Sequence, residues 1–269
     1  MADKIGFFDS GLGGLSIWKE CNELMPSMRS IYLADNKNAP YGTKNESEIL
    51  KLSLKNTKLL LAEGCSMIVV ACNTATTSAI TELRKQFDIP FVGIEPAIKP
   101  AALNSKLNKI GVLATEGTLV SSLFKSTSEK FAKGVCVINQ HGTGLVELIE
   151  AGKMESVEMT KLLSKLLFPL MKEEIDYLVL GCTHYPFLIP QIQEILPASI
   201  KVIDSGEAVA RRVKSLASDL GILGLSPKKK AEQASSEKQH QFFTNKSKEI
   251  MDEFMKEIGL KDDSLFRDF

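Results

Sequence analysis

Two of the five cysteines stand where chemistry is possible. Cys72 closes the apolar run Met67-Ile-Val-Val-Ala and is followed by Asn73-Thr74; Cys182 closes Tyr177-Leu-Val-Leu-Gly and is followed by Thr183-His184. In a parallel α/β sheet, ligands bind at the carboxyl ends of the strands. A thiol placed there meets the N-terminus of the next helix, whose dipole favours thiolate and is expected to bring the thiol below about 8.5. Such a group can serve as base and as acid near neutral pH. His184, two residues beyond Cys182, can tune that thiol or shuttle its proton, although a lone histidine is often only a satisfied structural residue. Cys21, Cys65 and Cys136 read as filler. An odd number of cysteines without a CxxC pair argues against a disulfide framework or zinc knuckle. The three histidines are too scattered for a metal set, so no metal is expected.

Two further segments carry polar groups at turns. Asp9-Ser-Gly-Leu-Gly-Gly14 follows the first apolar run, and its backbone N–H groups at a helix start would suit an anion. A dinucleotide fingerprint is the competitor: Gly11-x-Gly13-x-x-Ser16 lacks the third glycine, while Asp35 stands near the ribose-binding position. Asp9 argues against it, because a carboxylate would face the pyrophosphate. A plain tight turn would need neither Asp9 nor Ser10. Pro40-Tyr41-Gly42 alone is ordinary turn punctuation.

The elements that must position these residues are short and apolar. Strands are expected at Lys4–Asp9, Ile31–Ala34, Met67–Cys72, Phe91–Ile94, Lys109–Ala114, Val135–Asn139, Tyr177–Gly181 and Lys201–Ile203. Helical periodicity falls between them, as in Glu46–Glu63, Ser78–Phe87, Met159–Lys172 and Ile189–Leu196. This alternation predicts parallel sheets covered on both faces. An internal repeat sharpens it. Lys4-Ile-Gly-Phe-Phe-Asp-Ser-Gly recurs in outline as Lys109-Ile-Gly-Val-Leu-Ala-Thr-Glu, and Cys72 recurs as Cys182, 110 residues on. Phe91-Val-Gly-Ile-Glu aligns with Lys201-Val-Ile-Asp-Ser at that same offset. Two copies of one α/β unit are therefore expected. Residues 227–240 are polar and read as a surface loop. Gln241-Phe-Phe-Thr reads as a last strand and Ser247–Ile258 as an amphipathic helix.

At 269 residues the chain exceeds the usual single-domain size, which favours two domains. Basic and acidic residues balance at 33 each, so charge gives no reason to expect nucleic acid or an anionic membrane as a partner. No apolar run is long enough to span a bilayer, and Met1-Ala2-Asp3-Lys4 leads into the first strand without a signal-peptide core, so a cytoplasmic protein is expected.

Taken together, the segments 9–14 (DSGLGG), 35–42 (DNKNAPYG), 71–76 (ACNTAT), 92–101 (VGIEPAIKPA) and 181–186 (GCTHYP) give the chain a pattern that resembles the glutamate racemases of the aspartate/glutamate racemase superfamily. The resemblance spans essentially the whole chain, and GCTHYP is its most diagnostic part. It implies two similar parallel-sheet α/β domains related by pseudo-twofold symmetry, with the active site in the cleft between them. The first would hold residues 1–97 plus 206–269, the second residues 98–205. It implies Cys72 and Cys182 as the two acid/base residues, with Asp9 and His184 as their assistants. Asp9-Ser10, Tyr41-Gly42, Asn73-Thr74 and Thr183-His184 resemble the substrate-binding pairs, and Glu150 aligns with an auxiliary carboxylate. The segment 139–144 departs from the family pattern, and the 227–240 stretch has no counterpart in it.

The implied reaction interconverts L- and D-glutamate without a cofactor, supplying D-glutamate for bacterial peptidoglycan. Inverting a carbon needs a proton removed on one face and supplied on the other, which two opposed groups do directly. Glutamate is the expected partner, and a homodimer is left open. The rivals are an aspartate racemase of the same superfamily, a nicotinamide-dependent oxidoreductase, and a non-catalytic amino-acid-binding sensor.

Overall fold

The computed structural model describes residues 4–222 and 238–269. Most of the expected loop at 227–240 lies outside the described residues. Among the described residues, ten strands form two sheets. In chain order they are β1 (Lys4–Asp9), β2 (Ser30–Ala34), β3 (Cys65–Val70), β4 (Phe91–Gly93), β5 (Lys109–Ala114), β6 (Cys136–His141), β7 (Tyr177–Gly181), β8 (Lys201–Ile203), β9 (His240–Thr244) and β10 (Leu265–Phe266). The first sheet runs β10-β9-β2-β1-β3-β4 and the second β6-β5-β7-β8. Every strand pair is parallel. The order β2-β1-β3-β4 repeats as β6-β5-β7-β8, so the sequence repeat is also a repeat of sheet order, and β9 and β10 are additions to the first copy.

Alternation along the strands explains why they read as continuous apolar runs. Ile5 and Phe7 of β1 join Met67 and Val69 of β3 in one core cluster, whereas Phe8, Ile68 and Val70 join another on the opposite face. In the second sheet Leu113, Leu178 and Leu180 face the first of those clusters, while Ile110, Val112 and Val179 form a third. The central strands of each sheet are thus buried on both faces, as in parallel sheets, while the edge strands β6, β8 and β10 are more exposed, and one cluster is continuous between the two halves. The helix Leu15–Leu24 of the first half packs on the helix Gly206–Asp219.

Register brings the strand ends level. Asp9 pairs with Ala34, and Phe8 with Val70, so the residues leaving β1, β2 and β3 share one sheet edge. Ala114 pairs with Gly181, which sets the end of β5 level with the end of β7. The chain passes between the sheets after β4 and after β8. These two passages touch, with the Ser205 hydroxyl donating to the Glu95 carbonyl.

Candidate active site

Cys72 is the N-cap of the helix Asn73–Gln86, and its sulfur accepts from the Ala75 N–H at 3.4 Å. Cys182 immediately follows β7. Both thiols are free, and both line one narrow cavity. Ser10, Tyr41, Gly42, Asn73, Thr74, Thr183 and His184 line it as well, so the expected pairs from four separate segments converge. Asp9 lies beneath this lining and is fully buried.

The two thiols have different neighbours. Cys72 Sγ lies 3.9 Å from Ser10 Oγ, and the Asp9 carboxylate acts on its charge. Asp9 in turn accepts from the Gly14 N–H at 2.7 Å and from Ser10 Oγ at 3.4 Å. The expectation that the helix N-terminus lowers Cys72 is corrected here. Burial pushes this thiol well above its ordinary value and the Asp9 charge adds to the rise, outweighing the N–H bonds from Ala75 and Ser10 that act the other way. Burial also raises Asp9, against the lowering influence of His184 and Cys72.

On the other side, His184 Nδ1 lies 3.7 Å from Cys182 Sγ, and His184 Nε2 lies 2.7 Å from Glu150 Oε1. Gly13 N lies 3.2 Å from the same Nε2. One nitrogen cannot both donate and accept, and the shorter contact selects an Nε2–H donating to the carboxylate. That leaves Nδ1 facing the thiol. Burial opposes charge on His184, yet its bonds to Cys182 and Glu150 prevail and hold the imidazole well above its ordinary range. Carboxylate, imidazole and thiol thus form one line, an arrangement in which an outer carboxylate orients the base.

The glycine loop does not do what its spacing suggested. Leu12 N–H donates to Glu150 Oε1 at 2.7 Å, so the expected anion site holds the protein's own carboxylate. A Cβ at Gly11 would sit 2.0 Å from Glu150 Oε1, and one at Gly13 would sit 2.1 Å from His184 Nδ1. These glycines admit side chains from the opposite half. Asp35, the ribose candidate, is fully buried and accepts from Tyr41 Oη at 2.5 Å, Asn38 at 2.8 Å and Asn245 at 2.5 Å. Both features behind the nicotinamide reading are engaged within the fold, which removes its support.

Two expected donors differ in state. The Asn73 side chain is buried with neither amide atom hydrogen-bonded, whereas Thr74 Oγ1 lies 2.9 Å from Thr115 Oγ1 across the cleft and 3.4 Å from Thr118 Oγ1. Thr115 and Val146, which also line the cavity, were missed in the sequence. The repeat held the signal for Thr115: aligning Lys109 with Lys4 sets Thr115 opposite Ser10. Asn36, which donates to Glu150 Oε2 at 2.5 Å, was not singled out, although it lies in the 35–42 segment that carries the resemblance. Among the described residues no cluster of His, Cys, Asp and Glu is arranged to hold a metal ion. No helix among them is long and apolar enough to cross a membrane.

Comparison with known proteins places the fold and the sequence in one family. The chain is 44% identical over 224 residues to the glutamate racemase of Ectopseudomonas mendocina, covering 83% of this chain and 85% of that protein. It is 44% identical over 212 residues to the glutamate racemase of Herpetosiphon aurantiacus, covering 79% and 84%. Its fold is similar to the crystal structure of a glutamate racemase isoform from Bacillus anthracis, with a TM-score of 0.85, 28% identity and coverage of 99% and 98%. It is also similar to Escherichia coli glutamate racemase in complex with L-glutamate and an activator, with a TM-score of 0.83, 32% identity and coverage of 98% and 97%. The family model for Asp/Glu/hydantoin racemases matches residues 12–255, and the chain belongs to that family.

Proposed function

We propose that this chain interconverts L- and D-glutamate by proton transfer between Cys72 and Cys182, without a cofactor. The observation that carries the reading is that two unbonded thiols, each following the equivalent strand of a repeated sheet, line one narrow cavity. One sulfur takes the α-proton as thiolate, and the other, as thiol, delivers a proton to the opposite face of the same carbon; the reverse reaction exchanges the roles. Asp9 assists Cys72. His184, oriented by Glu150, assists Cys182.

Charge that develops on the substrate carboxylate during deprotonation needs fixed donors. Ser10, Asn73 and Thr183 line the cavity and would serve here, and the unpartnered amide of Asn73 offers both a donor and an acceptor to a ligand. The Cys72 thiol, held high by burial, begins as the acid. A substrate ammonium entering the cavity supplies the positive charge that brings it back toward thiolate when its turn as base comes. Glutamate rather than aspartate is favoured because the relatives at 44% identity are named glutamate racemases. Supply of D-glutamate for peptidoglycan precursors in the cytoplasm is the role that this activity would serve.

The test is incubation with L-glutamate, D-glutamate and L-aspartate in deuterium oxide, following α-proton exchange and optical rotation. Inversion of glutamate, with solvent deuterium in the inverted product, is expected. Binding of glutamate with no exchange would replace this reading with the amino-acid-binding sensor.

A further inference from the structure

We propose that Asn36 is a positioning residue for the Cys182 side of the reaction: its amide, held by Thr244, fixes Glu150 against His184 only when the two halves are closed. This rests on reading Cys182 as an acid/base group. The argument is one of directed hydrogen bonds. The Lys246 N–H donates to Thr244 Oγ1 at 3.3 Å, so the Thr244 hydroxyl proton is free to point at Asn36 Oδ1, 2.9 Å away. With its oxygen so occupied, the buried Asn36 amide must present its NH2 to Glu150 Oε2 at 2.5 Å. Glu150 Oε1 then receives the Leu12 N–H and His184 Nε2, each at 2.7 Å, and His184 Nδ1 faces Cys182.

Of the three donors on Glu150, its own half supplies only His184. Leu12 and Asn36 come from the first half, and Thr244 ends β9, a strand that the second sheet lacks. Opening the cleft therefore removes two donors from a side chain that is already 15% exposed, and lets it turn to solvent. The titratable groups facing His184 are Glu150 at the end of the helix Leu145–Glu150, Cys182 after β7 and Asp9 at the end of β1. Only Glu150 among them is held by Asn36. The extra strand of the first sheet thereby acts on a thiol of the second half, and the catalytic side chains of that half are complete only around a closed site.

The test uses the chain labelled with 15N-histidine, which has three imidazoles to follow. Wild type, Asn36→Ala and Thr244→Val are titrated by NMR. His240, bonded to Ser30 and packed on Trp18, is the internal control. The expected result is a His184 midpoint lower by about one unit in Asn36→Ala and by less in Thr244→Val, with His240 in place. In both directions kcat should fall about tenfold, with KM within about twofold. A His184 midpoint unchanged or raised in folded Asn36→Ala overturns the proposal, as does an equal shift of both histidines, which reports general loosening. Should Asn36→Ala lose the wild-type thermal transition, Thr244→Val decides, and an unmoved His184 there rejects the relay. If wild type leaves the α-proton of glutamate unexchanged, the racemase reading falls, while the His184 titration still reports whether Asn36 positions Glu150.

Discussion

At the residue scale, the cysteines separate by surroundings. On the proposed mechanism, replacing Cys72 or Cys182 with Ala removes the proton carrier of one face, so each variant should lose racemisation by about 10²-fold or more, measured by polarimetry. Near wild-type turnover in either would reject the two-thiol mechanism. Cys21 and Cys65 are pushed up to about 12 by burial and should be inert to iodoacetamide at pH 8, with their Ala variants active. Asp9 gives a sharper prediction. Its folded value is raised, so the folded state binds the proton more tightly than the unfolded chain does. The stability linked to Asp9 therefore falls as pH rises from the ordinary carboxylate range through the raised value. Asp9→Asn removes that loss and keeps an oxygen for the Gly14 N–H. Its urea midpoint at pH 8 should equal or exceed that of wild type while kcat drops. A lower midpoint with kcat intact would show that Asp9 serves the fold alone.

At the element scale, the loop 10–14 makes the most exposed prediction. Gly11→Ala and Gly13→Ala place a methyl against Glu150 and His184, side chains remote in sequence, and must displace them. Each should fold with a loss of about 1–3 kcal/mol and lose most of its activity, read by urea melts and by α-proton exchange. An active Gly13→Ala would mean that His184 need not sit where it does. This loop also marks the limit of what sequence alone discloses. The Gly11-x-Gly13 spacing describes backbone able to approach something closely, but the partner, Glu150, enters from 138 residues away. The central strands were legible because burial on both faces leaves few polar positions to blur them, and Lys4–Asp9, Lys109–Ala114 and Tyr177–Gly181 match, as does the edge strand Lys201–Ile203. The helix expected from Ser78 begins instead at Asn73. Its first turns, Asn73 to Thr77, are buried for the site and the cross-cleft contact, so they are polar and hide the helical period.

At the scale of the whole molecule, the two halves are joined on one side by the touching passages at Glu95 and Ser205 and meet on the other through Thr74, Thr115 and Thr118. Cys72 is 5% exposed and Cys182 7%, so the site must open for substrate to enter. Thr115→Val removes the cross-cleft hydroxyl at little change in shape. Alkylation of Cys72 and Cys182, followed by peptide mass spectrometry, should quicken several-fold, at about the 1 kcal/mol scale of one hydrogen bond. Unchanged labelling would place the opening elsewhere. The duplication was legible as repeated motifs, and so was the pairing of the two cysteines. What joins the copies was not: Asn36, Glu150 and Thr115 meet their partners only after the sheets are stacked, and no periodicity records such a meeting.

The unequal company of the two thiols, a carboxylate at Cys72 and an imidazole–carboxylate line at Cys182, has a limit set by mirror symmetry. The substrate and product of a racemase are enantiomers of equal free energy in water, so their equilibrium constant is unity whatever the protein does. The ratio kcat/KM must then be the same in both directions. A protein of L-residues cannot itself be mirror-symmetric, and its two halves are related by rotation, not reflection. The difference between Asp9 and His184 can therefore appear only as a trade between kcat and KM within each direction. A substitution on one side of the cavity, however local, must change kcat/KM for both enantiomers by the same factor.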